Sequence, residues 1–220
     1  MFDLICIGAS WGGLHAISRV LEDIPDEVEQ PIAIVQHRHP ESAERAFADL
    51  LQSHTSRPVA DVEDKTPIER AKVYLAPPDY HLLVERGSFA LSVDERVRHA
   101  RPSIDVFFVS AADAYREGVI GVVLTGANED GAAGLARIKG LGGVAVIQDP
   151  VGAERRTMPE AAIAATVADA VLPLDAIGNF IYGLCVEVKA AAAERPVHAS
   201  GPGTGRFPPE SAEAPGSIDG

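Results

Sequence analysis

The sequence predicts an α/β fold: a doubly wound, mostly parallel sheet with helices on both faces and one antiparallel hairpin. Two observations carry this reading. Short apolar runs alternate with segments whose apolar residues recur every three or four positions, and the alternation repeats in the second half of the chain. With 220 residues, 46% of them hydrophobic, the chain is long enough for one domain with a substantial core.

The elements follow in order. Phe2 to Ile7 reads as a buried strand. Leu14, Ile17, Val20 and Leu21 are spaced as on one helix face, which predicts a helix over 12–22. "PIAIVQH" is a strand, and Ala43, Phe47, Leu50 and Leu51 mark a helix from about Glu41 to Ser53. Short strands are predicted near Pro58–Val62 and Lys72–Ala76. "HLLVERGSFALSV" reads as a hairpin turning at Gly87-Ser88. Ser103 then caps a helix running to about Glu117. In the second half, "GVIGVVLTG" is a strand and "DGAAGLARIKGLG" a glycine-terminated helix. "GVAVIQDP" is a strand, "MPEAAIAATV" a short helix, "AVLPL" a short strand, and Asp175 to about Ala193 the last helix. Residues 1–193 thus form the expected domain. Residues 194–220 are rich in Pro, Gly, Ser and Ala, which predicts a disordered tail.

Composition excludes several classes. A net charge of −13 argues against a general affinity for nucleic acid phosphates. No apolar stretch approaches the roughly 20 residues of a membrane helix. Asp3 stands where a signal peptide would be basic. The expectation is a cytoplasmic protein without membrane insertion. Cys6 and Cys185 lie inside apolar runs and read as reduced core thiols.

In a doubly wound sheet, ligands sit beyond the carboxyl ends of the strands. The loops there are "GASWGG", "QHRHP", "TGANEDGAAG" and "DPVGAERRTMP". A dinucleotide site fits poorly, because Ser10 stands at the middle glycine of G-x-G-x-x-G and the second strand ends in Gln36-His37, without the acidic residue that binds ribose. Ser10 lies in G-x-S-x-G, a pattern that exposes a hydroxyl on a sharp turn beside helical N–H groups. Such a serine also suits a helix N-cap. As a nucleophile it needs a base, and the base needs an acceptor. His37 and Asp130 fall on the same side of the sheet. His39, His81 and His99 compete with His37, and Asp149 and Glu129 with Asp130. His15, His54 and His198 read as surface or packing residues. The H-x-H pair of His37 and His39 has no nearby third metal ligand. Spacing alone leaves these rivals open.

Six blocks occur in order: "IGASWGG", "VQHRHP", "YLAPPDYHLLV", "RPSIDVFFVSAA", "GVVLTGANEDGAAGL" and "TMPEAAI". Together, from about Asp3 to Leu184, they resemble the catalytic domain of the CheB chemotaxis receptor methylesterases. The resemblance implies a Ser10–His37–Asp130 triad in a serine hydrolase that demethylates glutamyl methyl esters on chemoreceptor cytoplasmic helices and deamidates certain glutamines. It implies an oxyanion site near Trp11 and Ala127, with no cofactor or metal. His81, Arg98 and Arg101 are expected at the mouth of the site, where arginine would attract an acidic receptor helix. This sequence departs from the family pattern at Trp11, in place of a threonine, at Ala127, in place of a methionine, and at Asn128, in place of a glycine. The esterase pattern starts at residue 3, leaving no stretch for the family's receiver domain. A separate regulatory protein or a constitutively open site is therefore expected. The alternative reading is a non-catalytic or altered-specificity binding module on the same scaffold.

Overall fold

The structure is a computed structural model and describes residues 2–38 and 44–193. The predicted tail, His198 within it, and His39 lie outside the described residues. Nine strands and six α-helices are present among the described residues. They run β1 (Leu4–Ala9), α1 (Gly13–Asp23), β2 (Ile32–Gln36), α2 (Glu44–Gln52), β3 (Val59–Asp61), β4 (Val73–Leu75), β5 (His81–Glu85) and β6 (Ser88–Ser92). They continue as α3 (Ile104–Tyr115), β7 (Val119–Val123), α4 (Ala132–Gly140), β8 (Val144–Gln148), α5 (Thr157–Ala165), β9 (Ala170–Leu172) and α6 (Leu174–Ala193).

Seven strands form one parallel sheet in the order β3-β4-β2-β1-β7-β8-β9, and β5 and β6 pair separately as the antiparallel hairpin. Strand residues alternate between two cores. Leu4 and Cys6 of β1 face α3, α4 and α5, together with Val84 and Phe89 of the hairpin. Ile5 and Ile7 face α1, α2 and α6. Both faces being covered, the central strands are apolar save for Gln36 at the end of β2, as expected of buried parallel strands. Among the described residues no helix is long and apolar enough to cross a membrane. Cys6 and Cys185 are free and buried, and burial pushes the Cys185 thiol up to about 11.

Two of the boundaries that differ from the sequence reading have a local physical reason. β1 runs on to Ala9 because Gly8 and Ala9 stay in register with Val35 and Gln36 of β2. Gly8 is needed there, since a side chain would collide with Ile104 at the start of α3. The hairpin turns at Arg86-Gly87, one residue early. Gly87 takes the left-handed turn position (φ 85°), so Ser88 already pairs with Glu85.

The strand order reverses direction about β1. The chain winds outward through β2 and β4 on one side and through β7 and β8 on the other. The crevice beyond the carboxyl ends of β1 and β7 is the topological switch point, where such folds hold ligands.

Candidate active site

Ser10, His37 and Asp130 follow β1, β2 and β7, three adjacent strands of the sheet. The ladder continues into the site: Ser10 N–H donates to Thr125 O (3.0 Å) and His37 N–H to Ala9 O (3.1 Å). Gln36 Nε2 donates to Ser10 O (2.7 Å) and His37 O (3.0 Å), tying the two loops together. Gly12 completes the turn after Ser10 with φ 77°, a left-handed conformation that glycine adopts without cost, and α1 starts directly after it.

The three side chains form one hydrogen-bonded row. His37 Nδ1 lies 3.2 Å from Ser10 Oγ, and His37 Nε2 lies 2.7 Å from Asp130 Oδ2. The Asp130 side chain is fully buried and that of His37 partly so. Burial by itself raises the Asp130 pKa. Hydrogen bonds from His37 and from the backbone N–H groups of Asp105 and Ile104 outweigh it, and the carboxyl ends below its ordinary value. An ionised Asp130 accepts the Nε2 proton. Nδ1 is then left bare toward the serine, the tautomer that a general base requires.

Asp130 is held from three sides. Ile104 N–H donates to Oδ2 (2.7 Å), Asp105 N–H to Oδ1 (3.0 Å), and Ser103 Oγ–H to Oδ1 (2.9 Å). The carboxylate therefore sits at the N-terminus of α3, where the helix dipole and free N–H groups favour negative charge. Ser103 also caps this helix as the sequence predicts, accepting from Val106 N–H (3.4 Å). Asp130 does not cap the helix that follows it, whose N-cap is Gly131.

Asn128 shapes the loop. Its Oδ1 accepts from Asp130 N–H (3.1 Å), and its Nδ2 reaches within 3.5 Å of His37 Nδ1. It does not need the left-handed conformation that a replaced glycine would suggest. The backbone N–H groups of Trp11 and Ala127 make no hydrogen bond among the described residues, which leaves both available to an oxyanion.

Trp11 is 58% exposed. Its indole Nε1–H donates to Glu154 Oε1 (2.8 Å), and the Arg155 guanidinium lies 5.2 Å from the ring centroid. Thr125 Oγ1 lies 3.0 Å from Trp11 O and accepts from Arg155 N–H (2.8 Å). The loop after β8 is thus fastened to the serine turn.

The other residues named from sequence divide clearly. His81 does not reach the mouth of the site. It is 2% exposed, with Nδ1 accepting from the N–H of Ser103, the N-cap of α3 (3.1 Å), and Nε2 on Glu95 O (3.1 Å). Arg98, Arg101 and His99 line a cleft of about 350 Å³ beside His37 and Asn128. Asp149 closes its own turn on Val151 N–H (2.9 Å), Glu129 pairs with Arg98 (2.9 Å), and His54 pairs with Glu22 (2.6 Å). Among the described residues, no group of three or more His, Cys, Asp or Glu side chains is placed to hold a metal ion. Asp105, Gln36, Thr125 and Glu154 were not singled out from sequence. Only Asp105 carried a local signal, a carboxylate in the first turn of a helix.

The family model of the CheB methylesterase domain matches residues 5–181. The chain belongs to the CheB methylesterase family. A Leptospira interrogans protein, provisionally named a protein-glutamate methylesterase/protein-glutamine glutaminase, is 44% identical over 184 residues, 83% of this chain and 95% of that protein. A Rhodospirillum rubrum protein of the same name is 38% identical over 78% of this chain, and the match spans 48% of that longer protein. The crystal structure of the Thermotoga maritima CheB methylesterase catalytic domain superposes with a TM-score of 0.79 at 30% identity, covering 84% of this chain and 99% of that one.

Proposed function

We propose that the chain is a protein-glutamate methylesterase acting on glutamyl methyl esters of chemoreceptor cytoplasmic helices, with protein-glutamine glutaminase activity at the same site. The observation that carries this reading is the row from Ser10 Oγ through His37 to the buried Asp130 carboxylate.

In this mechanism Ser10 Oγ attacks the ester carbonyl while His37 Nδ1 takes its proton. Asp130 stays ionised and stabilises the imidazolium through Nε2–H. The Trp11 and Ala127 N–H groups receive the negative oxygen of the tetrahedral intermediate. His37 returns the proton to the methoxy oxygen, and methanol leaves an acyl-serine. Water then adds by the same steps in reverse, giving a glutamate carboxylate and free Ser10. On a glutamine the leaving group is ammonia.

The test is methanol release from methylated receptor cytoplasmic fragments, wild type beside Ser10→Ala. Release by wild type and its loss in the variant support the reading. No release by wild type, or equal release by both, overturns it.

A further inference from the structure

The cleft beside His37 has an unusual charge. The chain carries a net charge of −13, yet among the described residues the titratable side chains lining this cleft are His37, Arg38, Arg96, Arg98, His99 and Arg101, with no carboxylate among these. The acidic partners approach from outside the lining: Asp79 holds Arg96 (2.7 Å) and Arg101 (3.0 Å), Glu129 holds Arg98 (2.9 Å), and Asp105 lies 3.8 Å from Arg98 Nε. These pairs leave donors over. Arg96 and Arg98 are each about half exposed, and among the described residues each donates one side-chain hydrogen bond, through Nη2 and Nη1 respectively, whereas a guanidinium offers five N–H groups.

The backbone that presents them is strained. Arg98 (φ 49°) and His99 (φ 65°) both occupy the left-handed region, at the tip of a two-residue turn closed by Val97 and Ala100 bonding both ways (3.1 and 2.9 Å). Such turns ordinarily carry Asn-Gly or Gly-Gly. An arginine and a histidine there are costly for the fold, a pattern that marks recognition sites. The cleft starts one hydrogen bond from the serine, because His37 and Asn128 line it and His37 Nδ1 faces Ser10 Oγ.

We propose that this cleft is a carboxylate subsite: it takes an unesterified acidic side chain of the substrate lying about one helical turn from the ester. This rests on the esterase reading above. It adds a consequence that the reaction chemistry supplies. Hydrolysis turns a neutral ester into a carboxylate, methanol and a proton, so each glutamate released becomes an anchor for the next ester along the helix. Demethylation of neighbouring sites is then ordered, the second event being faster than the first.

The experiment uses helical peptides with one glutamyl methyl ester and, four residues away, Glu, Gln or a second methyl ester. Wild type is expected to show a KM about fivefold or more lower for the Glu peptide, with kcat nearly equal, because the anchor binds ground state and transition state alike. Arg96→Gln and Arg98→Gln are expected to bring the Glu-to-Gln ratio of KM toward one, whatever their absolute rates. Gln at position 98 carries the same backbone strain as Arg. At concentrations well below KM, the doubly esterified peptide is expected to release its second methanol faster, per ester remaining, than its first. A wild-type ratio within twofold, or a ratio unchanged in both variants, overturns the subsite and leaves the esterase reading standing. Hydrolysis of no peptide overturns both.

Discussion

Asp105 and Asp130 cap each other's helices. The Asp130 carboxylate accepts from the backbone at the start of α3, where Asp105 sits. Asp105 Oδ1 accepts from Gly131 N–H (2.9 Å) and Gly134 N–H (2.7 Å) at the start of α4, directly after Asp130. The acid that orients the proposed base is therefore locked in place by a second acid, whose burial and repulsion by Asp130 raise its pKa.

Removing Asp105 loosens both ends of this clasp. Asp105→Ala is expected to cost about 1–2 kcal/mol, the scale of a lost helix cap, or a Tm lower by about 2–8 °C for a domain of this size. It is also expected to lower kcat by displacing Asp130. Thermal unfolding and methanol release measure the two effects, and an unchanged Tm contradicts the clasp.

Ser10→Ala is expected to lower ester hydrolysis by about 10⁴ to 10⁶, the scale of single losses from such triads. The folded fraction stays near wild type, because only a hydroxyl is removed from a turn held by backbone bonds. Residual activity within tenfold of wild type removes Ser10 from the mechanism.

The two carboxylates give opposite acid responses. The lowered pKa of Asp130 means that the fold favours its ionised form. Its contribution is present above the ordinary carboxylate range and is lost as pH falls through its native pKa. The raised pKa of Asp105 makes its ionised form a cost, relieved as pH falls through that pKa. The stability gap between wild type and Asp130→Asn is therefore expected to narrow as pH falls from 7 to about 3. Urea unfolding at each pH follows the gap, and a widening gap contradicts the assignment.

Trp11 is exposed next to Ser10, the proposed nucleophile, while its N–H holds Glu154. Trp11→Thr is expected to change kcat/KM for methylated helices relative to a small methyl ester by about tenfold, the worth of a modest pocket change. Trp11→Phe keeps the ring and loses only the Glu154 bond, so its ratio stays closer to wild type. An unchanged ratio in Trp11→Thr makes the indole a packing residue.

The sequence held the architecture because the strands are apolar runs bounded by glycine and proline, and the strand-end loops were placed correctly by their order alone. It also brought Ser10, His37 and Asp130 to one side of the sheet. It did not reveal that Asp130 belongs to α3, because that bond joins loops 25 and 26 residues apart and has no local pattern. His81 was misplaced for a similar reason. A histidine flanking the hairpin reads as a cleft residue until its two ring bonds, to Ser103 N–H and Glu95 O, are seen. The cleft arginines were visible as charges, but the strained turn that presents Arg98 and His99 was not, since neither residue is a turn former.

The sheet order β2-β1-β7 has a consequence for how this protein fails and how it changes. The three chemical groups hang from adjoining ladders in the middle of the sheet, whose rungs open only when the whole sheet does. Loss of activity in denaturant thus coincides with global unfolding, and the amides of Cys6, Ala33 and Val122 exchange with solvent among the slowest. The Trp11–Glu154 contact and the Arg98-His99 turn lie outside those ladders. Substrate preference is free to drift over generations through such loops while the reaction itself stays fixed by the sheet.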